Sequence, residues 1–313
     1  MSIFYVIGGA ALLILAGDAL VRGAIALALR AGLSIALISL TVVAFGTSAP
    51  ELVISVQAAL EGAPDIALGN VVGSNVANVL LVLGAPALIA PIVTRDGSGE
   101  GLRNYLFMVG ASVLLLLLAF TGGIGRIAAG VMLVLLAGFF VDAWRRSADT
   151  EVVDDEIDPD SAGIPTAKLA GLLAFGLIGL PVGAHFLIEG AREIAVAVGI
   201  SEAAVGLTLV ALGTSLPELA ASLAAAWRGR MEVALGNVIG SNLLNILLIL
   251  GITALVSPIP VSDSFAYLDI PIMLVTSLLL LPYLVTKRAI GRISGIALIL
   301  LYCGFVALVI AGN

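Results

Sequence analysis

The chain has 313 residues, of which 61% are hydrophobic and 11% are charged, and its mean hydropathy is +1.20. This composition excludes a soluble globular domain and indicates a polytopic membrane protein. The net charge is −7, and no basic stretch typical of nucleic-acid binding interrupts the apolar runs, so no nucleic-acid partner is expected.

Hydrophobic runs along the chain predict ten transmembrane helices and an all-α membrane fold. Most of these runs reach the ~20 residues that a bilayer crossing needs. In chain order, the predicted spans are residues 2–29, 33–60, 64–92, 102–120, 123–144, 167–197, 200–227, 231–256, 265–286 and 291–311.

Basic residues are distributed unevenly between the two ends of these spans. If the N-terminus lies outside, 11 of the 14 lysines and arginines fall at inside ends, and only Arg22, Arg126 and Arg192 fall elsewhere. The positive-inside rule therefore predicts a multi-pass protein of the cell membrane with both termini extracytoplasmic. The acidic stretch from Asp149 to Asp160 follows the fifth span and predicts a solvated cytoplasmic loop.

Two sequence signatures occur twice, at a constant offset of 167 residues. GTSAPEL at 46–52 returns as GTSLPEL at 213–219, and GNVVGSN at 69–75 returns as GNVIGSN at 236–242. The repeat predicts two five-helix units, residues 1–146 with signature region 44–78 and residues 167–313 with signature region 211–245, joined by the loop 147–166. An odd number of spans per unit gives the second unit the inverted topology found in many secondary transporters.

The first signature of each unit also predicts a break in a helix. Gly46 and Gly213 weaken the helix, and Pro50 and Pro217 cannot donate an intrahelical hydrogen bond. Backbone groups left free inside a membrane are tolerated only where they line a cavity or meet a ligand. The glycines of the second signature either break the next span in the same way or let it approach its neighbour closely; they are Gly69, Gly73, Gly236 and Gly240. We therefore expect four discontinuous helices that meet near the midplane.

Each break carries a glutamate, Glu51 or Glu218. One interpretation is a capping box, in which Ser48 or Ser215 caps the half-helix and the glutamate at N3 reaches back. Glutamine would serve a capping box without a charge, and a carboxylate at the bilayer centre costs about 2.5–3.5 kcal/mol. Capping contributes only roughly 1 kcal/mol. Because a bound cation would offset the larger cost, the signatures predict a cation site.

The candidate ligands are all oxygen atoms, from carboxylates, hydroxyls, amide carbonyls and freed backbone carbonyls. No cysteine or histidine accompanies them, which favours a hard cation over zinc or copper, and six to eight flexible oxygens suit Ca²⁺. For Asn75 and Asn242 we expect interhelical hydrogen bonds instead. The candidates are Ala44, Thr47, Ser48, Glu51, Ser74, Asn78, Ala211, Thr214, Ser215, Glu218, Ser241 and Asn245.

The two signatures, given twice in inverted halves, resemble the α-repeats of the sodium/calcium exchanger family over essentially the whole chain. The resemblance implies that the second, third, seventh and eighth spans form the ion site with the twelve residues above as ligands. It also implies that the first and sixth spans slide against that core. The implied activity is electrogenic antiport of more than two Na⁺ for one Ca²⁺, with no prosthetic group and no protein partner beyond the lipid bilayer. Asn245 stands where some members carry aspartate, which argues against potassium co-transport.

Three alternatives remain at the level of sequence. A proton-coupled Ca²⁺ exchanger is one, although that branch usually carries a glutamate in its Gly-Asn motif, where Ser74 and Ser241 stand here. A passive cation channel and a purely structural membrane protein are the others. None of the candidates is an enzyme.

Overall fold

The computed structural model describes residues 2–93, 99–148, 163–197 and 213–312, and nearly all of them are helical. The first half of the chain contains eight α-helices and two π-helical segments within these residues. They are α1 (Ser2–Ala31), α2 (Ile35–Ile38), a π-helical segment (Ser39–Val43), α3 (Ala44–Thr47), α4 (Ala49–Leu60), α5 (Pro64–Ala77), a π-helical segment (Asn78–Val82), α6 (Gly84–Ile89), α7 (Glu100–Phe120) and α8 (Arg126–Ala148).

The second half repeats this order where it is described. Its elements are α9 (Thr166–Ala197), α10 (Leu216–Trp227), α11 (Met231–Leu244), a π-helical segment (Asn245–Ile249), α12 (Leu250–Val256), a π-helical segment (Phe265–Asp269), α13 (Ile270–Leu278), α14 (Leu281–Thr286) and α15 (Arg292–Gly312).

The predicted all-α membrane fold is confirmed. Eight helices among the described residues are long and apolar enough to cross a membrane, and the pair Ile35–Thr47 and Ala49–Leu60 makes a ninth if it counts as one span bent by 47°. The seventh predicted span, 200–227, lies partly outside the described residues, so the count of ten stays a prediction. A two-residue antiparallel pairing of β1 (Gly123–Ile124) with β2 (Ile259–Pro260) was not predicted.

Two spans form the centre of the molecule. In the most apolar stretches of Pro64–Ile89 and Met231–Val256, 72% and 83% of the residues are buried, against 17–39% in the other long helices. The outer helices present large apolar side chains outward, such as Ile127 and Ile293 at 86% exposure. In a bilayer these surfaces face lipid, so the outer helices enclose a protected core formed by α5, α6, α11 and α12.

The helices that follow the two breaks end in the same way. Gly62 and Gly229, at φ +78° and +68°, adopt the left-handed conformation that glycine takes after a helix. The next residue then donates back across the last turn, Ala63 N to Ala58 O at 2.8 Å and Arg230 N to Ala225 O at 2.9 Å. The repeat seen in the sequence is therefore also a repeat of backbone geometry.

Helices α1 and α9 pack against each other through glycines. A Cβ atom added at Gly176 would lie 2.6 Å from Leu20 Cβ, one at Gly179 would lie 2.8 Å from Ala16 Cβ, and one at Gly9 would meet the backbone of Leu187 at 2.5 Å. Such small residues let two membrane helices approach closely.

Helices α1 and α9 do not contact the helices that follow the two breaks, α10 and α4, in equivalent ways. Helix α1 packs along α10, where a Cβ at Gly17 would lie 2.9 Å from Ala220 O, and Asp18 forms an ion pair with Arg228. Helix α9 does not pack along α4 in the same way. Helix α10 is therefore held against α1, while α9 and α4 do not form an equally extensive contact.

Candidate functional site

The two predicted acids lie in the first turns of α4 and α10. The residues before these helices, Ser48 (φ −88°, ψ 4°) and Ser215 (φ −89°, ψ 3°), have the same backbone conformation. A proline stands two residues after each serine and has no N–H, so the carbonyl four residues before the proline lacks its helical hydrogen-bond donor. Glu51 and Glu218 are both fully buried, at 0% exposure. Their position at helix N-termini favours negative charge.

The capping-box interpretation is wrong. Neither Ser48 nor Ser215 makes a side-chain cap, although both hold the capping position in the backbone. The Ser48 hydroxyl instead donates to Glu218 Oε1 at 2.9 Å, across a sequence separation of 170 residues. The hydroxyl therefore joins the two halves of the chain rather than closing its own helix.

The other hydroxyls also lie between the halves. Thr47 Oγ1 lies 3.3 Å from Asn237 Oδ1 and 3.2 Å from Ala44 O, and Ser74 Oγ lies 3.5 Å from Thr214 Oγ1. All of these side chains are buried. The structure thus brings three predicted ligands of the first half, Thr47, Ser48 and Ser74, into contact with the second half.

The backbone carbonyls are a partial exception. Ala44 O accepts from Ser48 N at 3.0 Å and lies within hydrogen-bond reach of Thr47 Oγ1, so it is not a freed carbonyl in this structure. It can meet a cation only if the Thr47 hydroxyl points elsewhere, toward Asn237. Ala211, its counterpart, lies outside the described residues.

Asparagines occupy the centre of the site. Asn78 and Asn245 use their amide nitrogens in interhelical hydrogen bonds to Asn242 Oδ1 and Asn75 Oδ1, both at 3.0 Å. The interhelical bonding expected for Asn75 and Asn242 is therefore confirmed. The Oδ1 atoms of Asn78 and Asn245 have no hydrogen-bond partner.

Among the described residues, seven buried oxygens of the predicted ligands lack a hydrogen-bond partner. Buried polar groups are almost always partnered, so a group of seven calls for an explanation. When both are ionised, the carboxylates of Glu51 and Glu218 also repel each other. The seven atoms are Glu51 Oε1, Glu51 Oε2, Glu218 Oε2, Ser215 Oγ, Ser241 Oγ, Asn78 Oδ1 and Asn245 Oδ1.

Sequence reasoning missed the side chains that hold the acid-bearing helices in place. Asn70 Nδ2 donates to Glu51 O at 3.3 Å and to Ser55 Oγ at 3.0 Å. Asn237 Nδ2 makes the same two contacts one repeat later, to Glu218 O at 3.3 Å and to Ser222 Oγ at 3.2 Å. The signal was present, because Ser55 and Ser222 keep the 167-residue offset and lie one helical turn after the glutamates.

The donor set fits a hard cation. Carboxylates, hydroxyls and amide oxygens are the ligands that Ca²⁺ and similar ions take, whereas zinc and copper sites draw on histidine and cysteine. Among the described residues no group of three or more His, Cys, Asp or Glu side chains gathers elsewhere. The oxygens of the site that lack hydrogen-bond partners can coordinate one divalent cation or several monovalent cations.

This combination of a helical membrane fold with two buried acids at broken helices is typical of secondary cation transporters. Comparison with known proteins agrees. The family model described as sodium/calcium exchanger protein matches residues 1–144 and 168–311. The chain is 33% identical to the sodium/calcium exchanger MaX1 of Methanosarcina acetivorans, over 95% of each chain. It is 34% identical to the inner membrane protein YrbG of Escherichia coli, over 87% of this chain and 85% of that one.

Solved structures of the sodium-calcium exchanger NCX_Mj match over 98% of both chains at 35% identity. The TM-score is 0.82 for crystals soaked with 10 mM Na⁺ and no Ca²⁺, and 0.83 for crystals soaked with neither ion. The chain belongs to the sodium/calcium exchanger family. It is a multi-pass membrane protein of a family of cation/calcium antiporters, not of enzymes.

Proposed function

We propose that this protein is an electrogenic sodium/calcium antiporter, which exchanges more than two Na⁺ for one Ca²⁺ by alternating access to one shared site near the membrane midplane. The observation that carries the proposal is the pair of fully buried acids, Glu51 and Glu218, three of whose four carboxylate oxygens have no hydrogen-bond partner. Two such charges are expensive in a membrane, and bound cations offset that cost.

The twelve residues predicted as ligands form the proposed site. The unpartnered oxygens of Asn78, Asn245, Ser215 and Ser241 support their assignment. The carbonyl of Ala44 joins when the Thr47 hydroxyl turns away from it. Ala211 is assigned by its 167-residue offset from Ala44.

Competition between the two cations follows from the charge of the site. Two carboxylates are neutralised by one Ca²⁺ or by several Na⁺, but not by both sets at once. An empty site leaves both acids unpaired and repelling each other, so the unloaded protein changes conformation reluctantly. The protein therefore couples the movement of one ion to the return of the other.

The charge balance makes the exchange respond to voltage. When more than two Na⁺ exchange for one Ca²⁺, each cycle moves net charge across the membrane. One net charge crossing 100 mV contributes about 2.3 kcal/mol. A negative interior therefore favours Na⁺ entry and Ca²⁺ extrusion.

The arrangement in the membrane is part of the proposal. We assign residues 1–146 and 167–313 to two units of inverted topology, with both termini extracytoplasmic and the loop 147–166 cytoplasmic. The matched backbone angles at Ser48 and Ser215 and the matched helix ends at Gly62 and Gly229 support the repeat. The glycine contacts between α1 and α9 support their assignment as the pair that moves against the core.

The solved relative supports a shared Na⁺ and Ca²⁺ site. Its structures are described as showing extracellular ion exchange and induced occlusion of the binding site in NCX_Mj, with crystals soaked in Na⁺ together with Ca²⁺ or Sr²⁺. The 35% identity and the match over 98% of both chains support the same exchange for this protein.

Flux measurements in proteoliposomes test the proposal. Ca²⁺ uptake is measured with an outward Na⁺ gradient, then with a pH gradient alone, then with neither, and membrane voltage is set with K⁺ and valinomycin. We expect uptake in the Na⁺ gradient that changes with voltage. Uptake driven by the pH gradient alone would identify a proton-coupled exchanger, and uptake without any counter-ion gradient would identify a channel.

Two glutamine variants assign the activity to the buried acids. We expect Glu51→Gln or Glu218→Gln to abolish exchange, because either change halves the charge of the site. Glu61→Gln is the matched control, since Glu61 follows the same helix as Glu51 but is exposed. Normal exchange by both site variants, as purified monodisperse protein, would contradict the proposal.

A further inference from the structure

Four asparagines form a closed hydrogen-bonded cluster between α5 and α11 and the π-helical segments that follow them. We call Asn75, Asn78, Asn242 and Asn245 the asparagine cluster. Each is at most 1% exposed. Four hydrogen bonds join them, and every bond crosses from one half of the chain to the other.

In Asn75 and Asn242, which are not predicted ligands, both the side-chain oxygen and the side-chain nitrogen form bonds inside the protein. Asn75 Oδ1 accepts from Asn245 Nδ2 at 3.0 Å, and its own Nδ2 donates to Asn242 O at 3.4 Å and lies 3.5 Å from Met273 Sδ. Asn242 Oδ1 accepts from Asn78 Nδ2 at 3.0 Å, and its Nδ2 donates to Asn75 O at 3.3 Å. In both side chains the oxygen already accepts a hydrogen bond from the opposite half of the chain.

The two predicted ligands have the opposite pattern. Asn78 and Asn245 donate through nitrogen into the cluster, and each leaves its Oδ1 without a partner. An amide has nearly the same shape when turned by 180°, but it then presents N–H donors where its oxygen was. A reversed amide would repel a cation, so something must fix which end faces the site.

We propose that Asn75 and Asn242 are positioning residues, each of which fixes the ligand amide of the opposite half with its oxygen directed toward the transported cation. Asn75 positions Asn245, and Asn242 positions Asn78. The inference rests on the proposed function in that it takes Asn78 and Asn245 as cation ligands. It adds that neither half of the chain can orient its own amide ligand.

The cluster also explains why position 245 carries a neutral amide in this chain. An aspartate there would place a carboxylate oxygen beside Asn75 Oδ1, two acceptors with no proton between them. Turning the Asn75 amide would remove that conflict but would place its oxygen against Asn242 O, which is also an acceptor. The amides at 75 and 245 are therefore a matched pair.

Calcium binding by variants of the purified full-length protein tests the proposal without requiring transport. The dissociation constant for CaCl₂ is measured by calorimetry in detergent. We expect Asn75→Leu to weaken Ca²⁺ binding by about 10- to 100-fold, the usual effect of losing a residue that orients a metal ligand.

Two double variants separate positioning from a merely structural role. In an Asn245→Ala background, Asn75→Leu should cause no further loss, because the amide that it orients is gone. In an Asn78→Ala background the full loss should remain, although Asn78 lies one turn from Asn75 on the same span. A structural defect would weaken binding equally in both backgrounds.

The mirror-image cycle provides a second, independent set of variants. Asn242→Leu should couple to Asn78→Ala and not to Asn245→Ala. If a leucine variant does not elute as monodisperse protein, Asn75→Ala or Asn242→Ala replaces it. Additive losses in the cross-half pairs, or unchanged binding in the single variants, would overturn the proposal. A different outcome would overturn the antiport mechanism alone: the wild-type protein shows no Na⁺-driven exchange, but the double variants still show the predicted coupling in Ca²⁺ binding.

Discussion

Glu51 and Glu218 are buried acids with almost no hydrogen-bond donors among the described residues. The hydroxyl of Ser48 reaches Glu218 Oε1, and the remaining three carboxylate oxygens are without a partner. A side chain selected for stability alone would not be charged at such a position. The acids are therefore best understood as groups whose stability depends on the ions that the protein carries.

This dependence predicts an inverse relation between stability and function. In ion-free buffer of high pH, where the carboxyl is ionised, Glu51→Gln should raise the melting temperature, because it removes a buried unpaired charge worth about 2.5–3.5 kcal/mol. At about 2 °C per kcal/mol for a chain of this size, the increase is roughly 5 °C. Differential scanning fluorimetry with and without CaCl₂ measures it.

The same experiment includes its control. The wild-type protein should gain stability when CaCl₂ is added, and Glu51→Gln should lose most of that gain, while Glu61→Gln should behave like the wild type in both buffers. A Glu51→Gln protein that melts lower than wild type in ion-free buffer would contradict this account of the buried acid.

The sequence predicted the acids, hydroxyls and amides of the site because they recur at one offset within apolar stretches. It did not predict that Ser48 bonds to Glu218, because an offset identifies equivalent residues and not residues in contact. It also did not show that the Ala44 carbonyl is already hydrogen-bonded by Ser48 N–H. These properties depend on how two distant helices pack, which no local pattern contains.

At the scale of helices, glycine and proline predicted the break at Ser48 correctly. The breaks expected in the next span of each half are wrong, because α5 and α11 continue through their glycines, which are Gly69, Gly73, Gly236 and Gly240. The 47° bend falls at Ser48, between Gly46 and Pro50. The π-helical segments at Asn78–Val82 and Asn245–Ile249 were not predicted, because such turns have no reliable local signature and reflect the packing of neighbouring helices. Both segments begin at a predicted amide ligand, so the altered turn helps to place that side chain.

The glycine contacts between α1 and α9 lead to a prediction about turnover. Gly176→Leu would drive a side chain into the backbone of Leu20 and force the helices apart, since a Cβ there already lies 2.8 Å from Leu20 Cα. Overpacking of this kind should raise the barrier to the helix movement by more than about 1.4 kcal/mol. We therefore expect Na⁺-driven Ca²⁺ flux to fall by more than about tenfold. The dissociation constant for Ca²⁺ should stay unchanged.

Gly171→Leu is the matched control for this variant. Gly171 lies on the same helix, and a Cβ there meets no described atom within 4 Å. Equal flux losses in the two variants, or a weakened Ca²⁺ affinity in Gly176→Leu, would mean that the contact serves the site itself rather than the movement of the helices.

The ion pair between Asp18 and Arg228 predicts a smaller effect on conformation. It joins α1 to the end of α10, and both side chains are partly exposed, at 40% and 30%. Such pairs contribute about 0.2–1 kcal/mol, so Asp18→Asn should shift the population of the α1–α10 contact by at most about fivefold. Spin labels on α1 and α10 report that population by electron paramagnetic resonance.

A charge reversal checks that the ion pair is responsible. The double variant Asp18→Arg with Arg228→Asp should restore the wild-type distance distribution, whereas Asp142→Asn, which breaks a pair between α7 and α8, should leave it unchanged. Failure of the reversed pair to restore the distribution would assign the effect to packing instead.

Over the whole molecule, the two halves share local geometry but differ in one contact. The helix caps, helix ends and asparagine contacts recur at 167 residues, yet α1 packs along α10 while α9 does not pack along α4 in the same way. A repeated sequence predicts equivalent elements but cannot predict which of two equivalent contacts is made in a given state. That choice is a property of the whole structure.

The extensive packing between the halves predicts that the chain can be divided in its acidic loop. Residues 1–155 and 156–313, produced together as separate chains, should co-purify through a tag on one of them and show the Ca²⁺-induced gain in melting temperature. Every helix among the described residues remains intact in this division, and the site is formed by contacts between the halves. Either piece binding Ca²⁺ by itself, or a failure to co-purify, would contradict this.

The crossed asparagine bonds also constrain how such a protein can evolve. The partner of each ligand amide lies 164 or 170 residues away along the chain, in the other copy of the motif. A substitution in one copy therefore changes which side chains can pair with it in the other copy. Two copies that began as duplicates are in this way obliged to diverge in step.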